Sequence, residues 1–282
     1  MGEDYSVLLF YHFTPLSDQA REVCWHRALC ERLRLCGRLR VSPQGLNGTL
    51  SGSAAALGEY TRSVDARCPA EGQGIDWKFG PCEPYELFQE LSVRAVREVV
   101  SLGVPLEDVP LGKAATHLSA AEFHERIATA AESGAVLLDV RNVYESRIGR
   151  FEAPGVETLC PPIRQFSELP AWLERMQPRL AGRPLLMYCT GGVRCEPASA
   201  WMRQRYDRGG GGGEGGGGWG GEGGGDGGGD GGGGEGGGGG GDGGGGKGGG
   251  GGDGGGGGAP SEVLQLHGGI HRYLEAFPDG GI

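Results

Sequence analysis

Cys189 is followed by Thr190, Gly191, Gly192, Val193 and Arg194, and then by a second cysteine, Cys195. Before it runs a short apolar stretch, Leu185-Leu186-Met187-Tyr188, that reads as a buried strand. After it, Cys195-Glu196-Pro197 opens a helix carrying Ala198, Ala200, Trp201 and Met202, and proline suits a first helical turn. A strand, a cysteine, a glycine turn and a helix N-terminus aim backbone N–H groups and the positive end of a helix dipole at the sulfur. That setting lowers a thiol pKa and yields a nucleophilic thiolate. The competing reading is a cysteine that merely packs.

Spacing narrows the chemistry. Tyrosine-phosphatase-like loops place one more residue between cysteine and arginine, so that a ring of N–H groups and a guanidinium surround a phosphate. The shorter loop here suits a smaller group, the outer sulfur of a persulfide. Thr190, Gly191, Gly192, Val193 and Arg194 are therefore the candidate persulfide or anion-binding loop, with Cys189 the catalytic candidate.

These residues need a frame. Val136 to Val140 reads as a buried strand of the parallel-sheet kind, and Asp139 to Glu145 (DVRNVYE) puts charged residues at its C-terminal end. Leu118 to about Ala131 and Phe166 to Leu180 read as helices, Val263 to Leu266 as a strand and His271 to Ala276 as a last helix. Alternating strands and helices over residues 115–277 predict an α/β layer with a parallel sheet, whose ligands sit at strand C-terminal ends. Upstream, Tyr5–Phe13, a helix capped by Ser17 or Asp18 and stopped by Gly37, strands around Leu39–Val41 and Thr49–Leu50, a helix over Ser53–Val64 and a strand over Ile75–Phe79 predict a ferredoxin-like α+β sandwich. A final strand lies near Leu91–Val93, and Val93–Gly103 reads as an extended connector. The expected organisation is residues 1–92 as one domain, 93–114 as connector and 115–282 as a second domain, with 209–258 inserted as a disordered loop.

That insertion holds most of the 62 glycines among 282 residues, broken by seven acids, Lys247 and Trp219. It lies before the last strand, so it is a surface loop within one domain and not a linker between two. It carries −6 of the net charge of −10. The balance gives no global attraction to nucleic acid, although Arg32, Arg34, Arg38 and Arg40 form a local basic patch. The eight cysteines include no CxxC pair, and neither a secretory signal nor a membrane-length apolar run is present. A reducing, cytoplasmic location follows as the expectation, or an organelle if the N-terminus is a fragment. Residues Met1 to Ser6 match the bare N-myristoylation pattern, or form a short acidic leader.

CTGGVRC fits the rhodanese active-site pattern, and DVRNVYE resembles a second rhodanese signature. With GRLRVSPQGLNGTLSG, VREVVSLG and LHGGIHRYLEAFPDGG, the chain resembles the tRNA uridine(34) hydroxylases that carry a rhodanese domain. The resemblance covers about Tyr5 to Arg205 and Val263 to the end. It implies an acylphosphatase-like domain before a rhodanese domain, and an oxygen-dependent conversion of uridine 34 of tRNA to 5-hydroxyuridine, with dioxygen as co-substrate and no other cofactor evident. It implies that Cys189 carries a persulfide in the manner of rhodaneses. It also implies a cysteine-rich tail beyond the FPDGG segment, where this sequence ends at Ile282.

The alternatives are a sulfurtransferase that takes sulfur from thiosulfate or a persulfide, and a non-catalytic binding module. Neither requires a membrane. Arg194 binds an anionic donor or fixes the loop by pairing with Asp139 or Glu145. Asp139 and Arg141 are expected to support the site. Cys195 caps its helix or pairs with Cys189 in a disulfide. No set of metal partners is evident, and His267 and His271 read as surface or packing residues. Asn47 sits in a tight Asn-Gly turn and is a possible RNA contact.

Overall fold

The computed structural model describes residues 4–67, 74–207 and 258–280. The N-terminal leader, Cys68 and all but the last glycine of the 209–258 insertion lie outside the described residues. Among the described residues, no helix is long and apolar enough to cross a membrane.

The first sheet is built from β1 (Tyr5–Phe13), β2 (Cys36–Ser42), β3 (Gly45–Ser53), β4 (Lys78–Pro81) and β5 (Leu91–Ala95) in the order β4-β1-β3-β2-β5. All its pairings are antiparallel except β2 with β5. Helices α1 (Gln19–Arg32) and α2 (Ala54–Arg67) cover one face. Period-two alternation puts Leu8 and Phe10 of β1 under the helices, with Leu39, Leu46, Leu50, Leu57 and Tyr60. The intervening Leu9 and Tyr11 therefore face away from that core.

Three local expectations are corrected. Gly37 does not stop α1, which ends five residues earlier at Arg32, with Leu33 as its C-cap and Arg34 in the left-handed region at φ 53°. Gly37 lies inside β2 at φ 131°, where an added Cβ would sit 2.2 Å from the Thr49 carbonyl oxygen. The strand expected over Ile75–Phe79 begins at Lys78, because only there does β1 supply backbone partners. The connector is extended only to Ala95, as edge strand β5, and bends thereafter.

The second sheet is wholly parallel: β6 (Thr116–Leu118), β7 (Val136–Asp139), β8 (Glu157–Leu159), β9 (Pro184–Tyr188) and β10 (Glu262–Leu266), ordered β6-β10-β9-β7-β8. Helices α3 (Ala120–Ala128), α4 (Ala130–Ser133), α5 (Val143–Ser146), α6 (Leu169–Leu180), α7 (Cys195–Asp207) and α8 (Gly269–Ala276) complete the layers. The helix expected from 118 to 131 is two pieces, because Thr129 leaves helical geometry. Separate apolar clusters fill the two faces of this sheet, one around Trp172, Met187 and Met202, the other around Phe123, Tyr188 and Tyr273. Loops at the C-terminal ends of β7, β9 and β10 converge on one edge, and Cys189 lies there.

The two sheets are tied together by charge. Lys78 is completely buried, and its ammonium lies 2.5 Å from Asp76. Arg272 of α8 donates to the same carboxylate at 2.5 and 3.0 Å, and to the Trp77 carbonyl at 2.8 Å. Burial opposes the charge of Asp76, but Arg272 and Lys78 outweigh it and lower its pKa. Removing the acid strands a buried ammonium, a loss of about 3 kcal/mol. Asp76→Ala is therefore expected to lower the urea midpoint followed by tryptophan fluorescence, and Lys78→Met added to it to restore part of the loss. Unchanged stability of the single variant would contradict this arrangement.

Candidate active site

The loop begins where β9 ends. Cys189 is 1% exposed, and the Gly192 N–H donates to its sulfur at 3.1 Å. Gly192 has φ 99°, a conformation that glycine adopts without strain. It also lets β1 approach, since an added Cβ would sit 2.7 Å from the Tyr11 hydroxyl. Gly191 is close to Leu9 in the same way, at 3.1 Å. The outer face of β1 thus lies over the cysteine loop.

The loop's carbonyls are held from the other side. The Ile270 N–H donates to the Cys189 carbonyl at 2.9 Å, and His271 N–H to that of Thr190 at 3.1 Å. Both belong to the first turn of α8, whose N–H groups lack partners within the helix. Gly269, at φ 65°, has room there only because it has no Cβ; one would lie 2.5 Å from both carbonyl oxygens. With the carbonyls tied down, the N–H groups turn inward to the sulfur.

Burial opposes a charge on Cys189. The Cys195 thiol, the Arg194 guanidinium and the N–H groups of Arg194 and Gly192 outweigh it and bring its pKa down to about 6. Burial and the adjacent sulfur push Cys195 well up, so it remains a neutral donor. Both cysteines are free thiols, and Cys195 opens α7 with its N–H on the Gly192 carbonyl at 3.1 Å.

Arg194 pairs with Glu145, not Asp139, through two bonds of 2.8 and 2.9 Å. Thr190 donates to the same carboxylate at 3.1 Å, so Glu145 clamps both ends of the turn. Burial raises the Glu145 pKa, but Arg194 more than offsets it, and the net shift is downward. Asp139 and Arg141 instead pair with each other at 2.6–3.1 Å. Arg141 also donates to the Gly149 carbonyl at 2.6 Å, bracing the segment after β7. Val193 closes the turn between Gly192 and Arg194. Asn47 is not in the turn itself: it lies within β3 and donates to the Val99 carbonyl at 3.3 Å.

Sequence reasoning did not find Tyr11 and Gly269. The alternation of β1 was the available signal for Tyr11, because it marks which residues leave the first core. For Gly269 it was the Gly268-Gly269 pair ahead of the last helix.

Comparison with known proteins finds likenesses for the first domain and for most of the chain. Residues 5–99 match the UPF0176 acylphosphatase like domain. The chain carries that acylphosphatase-like domain at its N-terminal end. Rhodanese-like domain-containing protein 6 of Arabidopsis thaliana is 36% identical over 99% of this chain and 41% of its own length. Proteins named tRNA uridine(34) hydroxylase from Listeria welshimeri and Bacillus pumilus are 36% and 34% identical over 71% and 72% of this chain, each over 60% of its own length. The chain thus spans between about two fifths and three fifths of these curated relatives. The family resemblance drawn from the sequence motifs is borne out, and the acylphosphatase-like domain is the part whose β1 covers the cysteine loop.

Loss of a hydrogen bond to a charged group costs about 1.5–3 kcal/mol, or about one to two pKa units. Cys195→Ala is therefore expected to raise the Cys189 pKa and slow its alkylation at pH 7 by about two- to tenfold. An unchanged rate would show that the Cys195 thiol does not stabilise the thiolate.

Proposed function

We propose that the chain is an enzyme that hydroxylates uridine 34 of tRNA at C5, with Cys189 as its catalytic residue and dioxygen as co-substrate. The observation that carries this reading is a buried cysteine with a pKa near 6, in a glycine loop of a chain similar to proteins named for that reaction. In this reading residues 1–92 are the acylphosphatase-like domain, 93–114 a connector and 115–282 a rhodanese domain.

The residues suit nucleophilic activation of a pyrimidine. The Cys189 thiolate, or a persulfide on it, adds to C6 of the base, and the electrons of the C5–C6 double bond move to C5. C5 then takes one oxygen atom of dioxygen. The other leaves as water, with two electrons from an external thiol reductant. Loss of the C5 proton and departure of the sulfur restore the double bond. Thr190, Gly191, Gly192 and Val193 shape the turn, while Arg194 adds positive charge at the sulfur and Glu145 holds Arg194 in place. Asp139 and Arg141 support the β7 end, and Cys195 donates its thiol proton to the Cys189 sulfur.

A second reading has its own support, since the same loop also suits sulfur transfer. Cys189 then takes the outer sulfur of thiosulfate or a persulfide and passes it to a thiol or cyanide. The acylphosphatase-like domain, which a simple sulfurtransferase does not need, favours the tRNA reading.

Incubation of tRNA with the full chain, dioxygen and a thiol, followed by mass spectrometry of wobble nucleosides, is expected to show 5-hydroxyuridine. Cys189→Ser is expected to abolish it. Unmodified wobble uridine beside strong thiosulfate:cyanide activity would select the sulfurtransferase, and retention of both activities in Cys189→Ser would remove Cys189 from the chemistry.

A further inference from the structure

A cavity of about 360 Å³ lies where the two sheets meet, next to the cysteine loop. One wall is the end of β1, with Tyr11 and Phe13, and the opposite wall carries His117 of β6, Glu196 of α7 and His267 after β10. None of residues 189–195 lines the cavity, but two of its lining residues adjoin that loop. Tyr11 reaches Gly192, and Glu196 directly follows Cys195.

Its polar groups are organised. His117 Nε2 lies 2.6 Å from the Glu196 carboxylate. Gln265, 1% exposed, donates from Nε2 to the Ala115 carbonyl at 3.0 Å and lies 3.3 Å from the other Glu196 oxygen. A carbonyl only accepts, so it fixes which end of the amide faces it. His117 Nε2 also lies 2.9 Å from the Gln265 amide nitrogen, so it sits between that amide and the Glu196 carboxylate. The bond to Glu196 raises the His117 pKa, and burial only partly opposes it. His117 and His267 stand edge to face, 5.5 Å between ring centres.

The lining decides the class of ligand. Its two carboxylates are already paired, Asp76 with Lys78 and Arg272 and Glu196 with His117. With those cations committed, the wall offers an anion such as thiosulfate or a free phosphate no counter-charge of its own. Aromatic and imidazole rings favour a flat, neutral ring. A volume near 360 Å³ is in the range of small-ligand sites. The imide edge of uracil presents acceptor, donor and acceptor. Its complement is donor, acceptor and donor, which an imidazole, a carboxylate and a phenol provide.

We propose that this cavity is the pocket for the target base, holding a neutral pyrimidine among Tyr11, Phe13 and His267, with its imide edge read by His117, Glu196 and the Tyr11 hydroxyl. The pocket rests on the hydroxylase reading only for the identity of the base as a tRNA uridine. It extends the site to residues of both halves of the chain, and it gives the acylphosphatase-like domain a direct part in substrate binding. A base unstacked from the anticodon loop has both faces free for such rings.

The test is photocrosslinking of the full chain to an anticodon stem-loop RNA with 4-thiouridine at the wobble position, with the crosslinked peptides located by mass spectrometry. Crosslinks are expected on the β1 peptide holding Tyr11 and Phe13 or on the peptide holding His267. Tyr11→Phe, which keeps the ring, and His117→Gln are each expected to weaken RNA binding by about tenfold, the equivalent of one hydrogen bond. Crosslinks confined to other peptides, or none, overturn the pocket, as does unchanged affinity in both variants. Because crosslinking reads binding alone, crosslinks in the cavity without turnover would count against the hydroxylase reading and keep the pocket. Turnover with crosslinks elsewhere would do the reverse.

Discussion

A charged sulfur held out of water is the constraint on which the rest of this structure depends. Burial alone favours the neutral thiol. The Cys189 thiolate exists only because N–H groups, a neighbouring thiol and a guanidinium converge on it in a water-poor site, where such donors act strongly. Convergence in so short a turn forces the other side of the backbone outward. The carbonyls of Cys189 and Thr190 then need donors of their own, and the first turn of α8 provides them. That contact in turn requires glycine at 269 and a sheet order that sets β10 beside β9.

The acylphosphatase-like domain enters through the same constraint. A loop of two glycines leaves a gap above the sulfur, and Leu9 and Tyr11 of β1 lie over it. The Lys78–Asp76–Arg272 cluster fixes β1 and α8 relative to each other, so the cover above the loop and the anchor beneath it are held by one set of charges. Seen this way, the first sheet is a wall of the site as well as a neighbour of it.

Much of this was legible in the sequence, for identifiable reasons. Leu185–Tyr188 and Val136–Val140 are short apolar runs with little ambiguity, and the Cys189 turn follows one of them directly. Arg194 and its carboxylate were legible as a pair, but not the choice of Glu145 over Asp139. That choice is made because Arg141, two residues along, already occupies Asp139. Gly37 was misread because a glycine after a helical pattern resembles a stop, whereas its cause lies on the adjacent strand at Thr49. The bonds from Ile270 and His271 to the loop join residues about eighty positions apart, with the glycine-rich insertion between them, and no local pattern encodes such a contact. Tyr11 is more distant still. Its role follows from which face of β1 is left uncovered, and that is known only once α1 and α2 are placed.

The stabilised thiolate is tested most directly by a titration of thiolate ultraviolet absorbance in the full chain, minus the same titration of Cys189→Ser. The expected difference curve has its midpoint at about pH 6. A midpoint at or above the ordinary thiol value of about 8.5 would contradict it, and would mean that Cys189 is a packed thiol with no charge for the loop to hold.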